Sequence, residues 1–212
     1  MRIPAKKLSQ ENRRVKFLVY GASGVGKTVS AAATIPKPIF LLTELQAASQ
    51  SIAPLNPEAE IFPIQSINDM RAAINELHVM AQDSPPDDDT WVVLDSISDF
   101  GEMVKYEIRQ GKGDKPLTIG DWGVAIDTVM LIARMIRDLP YHALILARVK
   151  ENFQDNVLFH RPEVIGQDTA QNISALMTLT GYFYLAQTEE KEKQPKRLLL
   201  LQSDATYLTK GH

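Results

Sequence analysis

Short, almost unbroken apolar runs recur along the chain at residues 15–20, 38–42, 91–94 and 142–147, each bounded by polar or turn-forming residues. Runs of that length without alternation mark strands buried on both faces, as in a parallel sheet covered by helices. Between them the rhythm changes to steps of three and four. Ile67, Met70, Ile74, Leu77 and Ala81 follow a capping-box opening at Ser66 to Asp69, which predicts a helix to about Gln82. A second helix is predicted from about Phe100 to Arg109. The longest is predicted over 121–139, with Val124, Ile126, Val129, Ile132, Ala133 and Ile136 on a broad apolar face. Shorter helices fit 28–34, closed by Ile35-Pro36, and 168–176. Residues 61–64 offer a further short strand, with Pro63 placing it at an edge or a strand end. Strands at 181–186 and 197–202 face each other as a hairpin across a charged turn at 189–193.

Alternation of strand and helix followed by closing antiparallel strands predicts an α/β fold, a three-layer α/β/α sandwich with a mostly parallel sheet and a C-terminal hairpin. Two segments stand outside this rhythm. Residues 1–14 carry Arg2, Lys6, Lys7, Arg13 and Arg14 against Glu11 and read as an irregular basic arm, leaving 15–212 as one domain. Residues 148–167 read as a long polar loop that could carry a hairpin around Asp155-Asn156; loops of this length are usually functional.

Composition narrows the chemistry. At 212 residues the chain has room for one full core. Net charge −3 with 44% hydrophobic residues suggests neither disorder nor a general affinity for polyanions. With no cysteine, the chain has no disulfides, thiolate catalysis or cysteine-held zinc. No stretch approaches the roughly twenty apolar residues of a membrane span, and residues 1–4 lack the apolar core of a signal peptide, so a soluble cytoplasmic protein is expected.

The strongest chemical signal is Gly21-Ala22-Ser23-Gly24-Val25-Gly26-Lys27-Thr28, followed by Val29, between a strand-like and a helix-like run. This GxxxxGK[ST] pattern is a phosphate-binding loop. Its glycines let successive backbone N–H groups turn toward phosphate oxygens, and the following helix directs its positive end at the same anion. Lys27 is expected to reach the β- and γ-phosphates, and the Thr28 hydroxyl a bridging magnesium ion, so ATP and Mg2+ are the expected cofactors. Asp95 ends the strand Val92-Val93-Leu94 and is expected to hold magnesium directly or through water. Glu44, just past 38–42, would lie beside Asp95 if those strands are near neighbours. Their alternatives are a helix cap for Asp95 and a surface loop for Glu44.

Taken together, GASGVGKT at 21–28, FLLTE at 40–44, VVLDS at 92–96 and LILARVK at 144–150 resemble the RecA-like P-loop ATPase core. The nearest likeness is to the compact phage RecA-type ATPases of single-strand annealing and recombination, phage AAA-type nucleotide-binding proteins. The resemblance covers nearly the whole chain. It implies that Glu44 polarises the hydrolytic water and that Arg148 stands where the family carries a polar sensor, more often an amide. It also implies that Lys210 is the counterpart of a cation reaching a neighbouring subunit's nucleotide. The activity implied is ATP hydrolysis stimulated by single-stranded DNA, in a ring or filament with ATP between subunits, in a host cytoplasm if phage-encoded.

Single-stranded DNA sites pair basic tracks with aromatic platforms. Two segments match that outline: 110–123 with Lys112, Lys115 and Trp122, and 148–162 with Arg148, Lys150, Phe153, Phe159, His160 and Arg161. By resemblance they line a filament axis, although Trp122 and Phe159 equally suit a core. The basic arm could serve DNA or a neighbouring subunit. Two other classes remain open on the sequence: a nucleotide-switched assembly or loader factor with little turnover, and a small-molecule P-loop kinase.

Overall fold

The computed structural model describes residues 14–154, 157–186, 195–202 and 206–211. Residues 1–13 of the basic arm, the charged turn at 189–193 and Asp155-Asn156 lie outside the described residues. In chain order the elements are β1 (Lys16–Gly21), α1 (Lys27–Thr34), β2 (Lys37–Leu42), α2 (Leu45–Ile52), β3 (Glu60–Pro63), α3 (Ile67–Asp83) and β4 (Thr90–Asp95). They continue with α4 (Ile97–Gln110), α5 (Ile119–Asp138), β5 (His142–Gln154), β6 (Val157–Pro162), α6 (Thr169–Leu176), β7 (Leu179–Ala186) and β8 (Lys196–Leu200).

The main sheet runs β3-β2-β4-β5-β1-β7-β8, with β6 off this path and paired to β5. Strands β3 to β7 along this order are parallel, and β8 returns antiparallel to β7. The unbroken apolar runs are the buried central strands, as expected of a sheet covered on both faces. Leu18, Leu41, Leu94 and Ile145 point into one core under α3, α4, α5 and α6, while Val19, Phe40, Val93 and Leu146 point into a smaller one under α1 and α2. The fold class predicted from the sequence is the one observed.

Two stretches go beyond the sequence expectation. The segment read as a long loop that could carry a hairpin has the hairpin as its main feature: β5 continues to Gln154 and pairs antiparallel with β6, from Val149 opposite Pro162 to Gln154 opposite Val157. Antiparallel partners satisfy each other's backbone groups, so one face can stay polar and the apolar signal weakens. Helix α2 was not anticipated. Its eight residues, LQAASQSI, are too few to show a helical period, and a helix this short is held by packing, here of Ala48 and Ile52 into the smaller core.

Candidate nucleotide site

Parallel pairing brings the C-terminal ends of β1, β2, β4 and β5 to one edge of the sheet, the place where open α/β sheets bind ligands. The loop after β1 turns on Gly24 and Gly26, both with positive φ (78° and 94°), a conformation that suits glycine. Gly21 is constrained differently. A Cβ there would lie 2.2 Å from the Phe183 carbonyl oxygen of β7, so the loop leaves the sheet where a neighbouring strand leaves no room for a side chain.

Ser23, Gly24, Gly26, Lys27, Thr28 and Val29 line one cavity of about 400 Å³ together with Glu44, Asp95, Asp99 and Arg148. Lys27 Nζ donates to the carbonyls of Gly21 and Ala22, both at 2.9 Å, which holds the ammonium inside the curl of the loop. Burial pushes its pKa down, opposed first by Asp95. The Thr28 hydroxyl donates to Asp95 Oδ2 at 2.5 Å. Burial likewise pushes the Asp95 carboxyl above its ordinary range; the Thr28 bond and Lys27 oppose this, and Asp99 and Glu44 add to it. A hydroxyl and a carboxylate in contact, beside further carboxylates, are the donor set of a magnesium ion held by one or two protein oxygens, with phosphates and water completing the shell. Thr28 and Asp95 therefore fit the ion their sequence pattern implies.

Pairing of β2 with β4, Leu42 opposite Asp95, places Glu44 at the same edge. It stands at the N-cap of α2 with its carboxylate exposed on the cavity. Asp95 itself caps nothing: the cap of α4 is Ser96, whose hydroxyl accepts from Asp99 N at 3.2 Å. Arg148, opposite Gly21 on β5, pairs with Asp99 and donates through Nε to Glu163 Oε2 at 2.6 Å. Its backbone N–H donates to Ser98 Oγ at 2.9 Å, tying β5 to the first turn of α4.

Lys210 is elsewhere. It bridges Thr180 near the N-terminal end of β7, away from the loop, and its ammonium donates to the Met177 carbonyl at 2.7 Å, past the C-terminus of α6. Arg148 is thus the second cation lining the cavity, with Lys27 the first. Arg197 was not singled out in the sequence. From β8 it donates through Nε to the Val25 carbonyl at 3.0 Å, and a Cβ at Gly26 would meet that nitrogen at 2.8 Å, so the guanidinium braces the loop from outside. No local pattern marks it, because the contact spans 172 residues.

The residues considered for nucleic acid divide. Lys150, Arg161 and Trp122 line a polar cavity of about 450 Å³ with Lys105, Glu102 and Glu163. Lys105 Nζ lies 5.7 Å from the Trp122 ring centroid, a cation–π contact. Phe153 is 79% exposed on the hairpin. Lys115 is exposed, Phe159 is half-buried, and Lys112 is paired to Asp121 at 2.5 Å. His160, grouped with the loop in the sequence, is buried and stacked on Tyr207, ring centroids 4.6 Å apart.

A parallel sheet with a glycine loop, a half-buried carboxylate at a neighbouring strand end and a second carboxylate across the cavity defines a P-loop ATPase. The chain belongs to the AAA domain family, whose model matches residues 13–212. The fold is similar to that of a type III secretion system ATPase of pathogenic bacteria, with TM-score 0.55 and 10% identity over 80% of this chain and 51% of that one. The chain therefore spans about half the length of that structure. No curated protein matches the sequence. Among the described residues, no helix is long and apolar enough to cross a membrane.

Proposed function

We propose that this ATPase hydrolyses ATP in a magnesium-dependent reaction in which Glu44 activates the attacking water, and that single-stranded DNA stimulates it. The observation that carries the hydrolytic reading is the gathering of the phosphate loop, Glu44, Asp95 and Arg148 around one cavity. The loop N–H groups and Lys27 bind the β- and γ-phosphates; Lys27 moves from the Gly21 and Ala22 carbonyls to do so. Thr28 and Asp95 would hold magnesium, which when bound would supply positive charge to the phosphate oxygens. Glu44 accepts a proton from water, and its exposure on the cavity leaves it free of a competing partner role in the core. Arg148 supplies positive charge at the γ-phosphate end by exchanging a carboxylate partner for phosphate.

The DNA reading rests on Lys150, Arg161, Lys105 and Trp122 around one polar cavity, which together offer phosphate-binding charge and a stacking ring. Assembly as a ring or filament follows from the resemblance to RecA-like ATPases, with Lys210, away from its own chain's phosphate loop, as the cation offered to a neighbouring subunit's nucleotide. Phosphate release by the purified chain, measured with and without a single-stranded oligonucleotide, tests both halves. Hydrolysis that rises with oligonucleotide is expected. Equal rates with no oligonucleotide retained at low salt would overturn the DNA half, and no hydrolysis despite ATP binding would leave a nucleotide switch.

A further inference from the structure

A carboxylate that activates water must stand at a set distance from the reacting phosphate, because a displacement of about 1 Å can cost about 10²-fold in rate. The Glu44 side chain does not secure that distance itself. It stands at the N-cap of α2 and makes no cap hydrogen bond, so its placement comes from the backbone on either side. On the helix side, Ala48 N donates to the Glu44 carbonyl at 3.2 Å, and Ala48 and Ile52 pack into the smaller core. On the strand side stands Thr43.

We propose that the Thr43 hydroxyl is a positioning group for Glu44, fixing it against the end of β4 that carries Asp95; this rests on the reading of Glu44 as the water-activating carboxylate. The β2–β4 ladder ends with Leu42 opposite Asp95, and Glu44 lies beyond that point, where two strands are free to splay. Thr43 keeps them together. Its N–H donates to the Asp95 carbonyl at 3.0 Å, its hydroxyl donates to the same carbonyl at 3.0 Å, and the hydroxyl accepts from Ser96 N at 3.0 Å.

A hydroxyl offers one donor and two acceptor sites, so the donor and one acceptor are both engaged on the end of β4. The branched side chain is also stiff at χ1, which holds the hydroxyl in place. The strand alone does not require this arrangement. The Thr43 N–H closes the ladder whatever the side chain, whereas the hydroxyl bonds are additional and fall on the residue directly before Glu44. Across the tie, the Asp95 carboxylate accepts from the Thr28 hydroxyl at 2.5 Å. One side chain thus links the backbone that carries Glu44 to the residue that meets the phosphate loop.

Thr43→Val keeps the branch and removes the hydroxyl. Single-turnover hydrolysis should slow by about 10- to 10²-fold, while Thr43→Ser, which keeps the hydroxyl, should stay within about threefold of the unmodified chain. The decisive measurement is a double-mutant cycle with Glu44→Gln, since residues that act as one unit are not additive. Thr43→Val should have no further effect in the Glu44→Gln chain. Equal slowing in both backgrounds, with Glu44→Gln itself slow, would overturn the proposal and leave the reading of Glu44 standing. A Glu44→Gln chain as fast as the unmodified one would remove the reading and the proposal together. ATP affinity, titrated with and without magnesium on the same chains, should be unchanged by Thr43→Val. Weaker ATP binding, or loss of the affinity that magnesium adds, would also overturn the proposal, because the hydroxyl would then serve the fold or the placement of Asp95 instead of Glu44.

Discussion

The cavity at the phosphate loop and the cavity beside the β5–β6 hairpin are of similar size, about 400 and 450 Å³, yet they are built by opposite means. The first is made of backbone: glycines that allow a tight curl, and side chains delivered at strand ends by parallel register. The second is made of charge, with Lys105 from α4, Trp122 from α5, and Lys150 and Arg161 from a hairpin. A site built of backbone geometry has fixed spacing in the chain. A charge-built site has none and exists only once four elements have met.

Arg148 stands between them, paired to Asp99 in the first cavity and to Glu163 in the second. It makes the comparison more than one of style, since a change on either side acts on a shared cation.

Lys27→Ala should give the largest effect, a loss of about 10²–10³-fold in the rate of phosphate release, the scale of removing one charge-stabilising donor. Oligonucleotide retention without nucleotide should be unchanged; its loss would mean that the two cavities are not separable. Lys150→Ala with Arg161→Ala comes next. Oligonucleotide retention should fall, and the slope of log affinity against log salt should flatten by about 0.7 for each phosphate contact removed. Hydrolysis without oligonucleotide should stay within about twofold.

Arg148→Ala probes the junction. The fold-stimulation by oligonucleotide should drop to near one while both ligands still bind separately, as measured by fluorescence titration. Stimulation that persists would show the cavities to be coupled through another route.

The smallest effect lies outside both cavities, at the base of the strand that carries the loop. Burial pushes the Lys16 ammonium down from 10.5 to about 8, with Asp138 opposing, and its Nζ donates to the carbonyls of Leu139 and Tyr141 at 2.7 and 2.6 Å. Between those two pKa values the unfolded chain binds more protons than the folded one, so this residue makes stability rise with pH through that window. The urea midpoint of the unmodified chain minus that of Lys16→Met should therefore increase from pH 7.5 to pH 10.5. A constant difference would mean that Lys16 titrates alike in both states.

The same contrast explains what could be read from the sequence. The buried strands, the long helices and the loop from Gly21 to Thr28 are local patterns, each written within a dozen or so residues. Asp95 and Glu44 needed one further step, the adjacency of β2 and β4, which the structure supplies. Arg197 could not be found that way, because it reaches Val25 across the sheet from a strand with no motif. Nor could Lys105, an ordinary helix residue until Trp122 folds beneath it. The β5–β6 pairing was legible only as a hairpin that a polar loop could carry, because one polar face conceals a paired strand, and the burial of His160 was not legible, because its stacking partner Tyr207 lies on a distant segment.

The central claim is that the backbone-built cavity hydrolyses ATP with Glu44 as the water-activating carboxylate. Glu44→Gln, which keeps size and hydrogen bonding but removes the base, tests it most directly when single-turnover hydrolysis and ATP affinity are measured on the same preparation. Hydrolysis slowed by about 10²–10⁴-fold, the usual contribution of a general base, with ATP affinity within about twofold, is the predicted result. Hydrolysis unchanged, with binding intact, would contradict it.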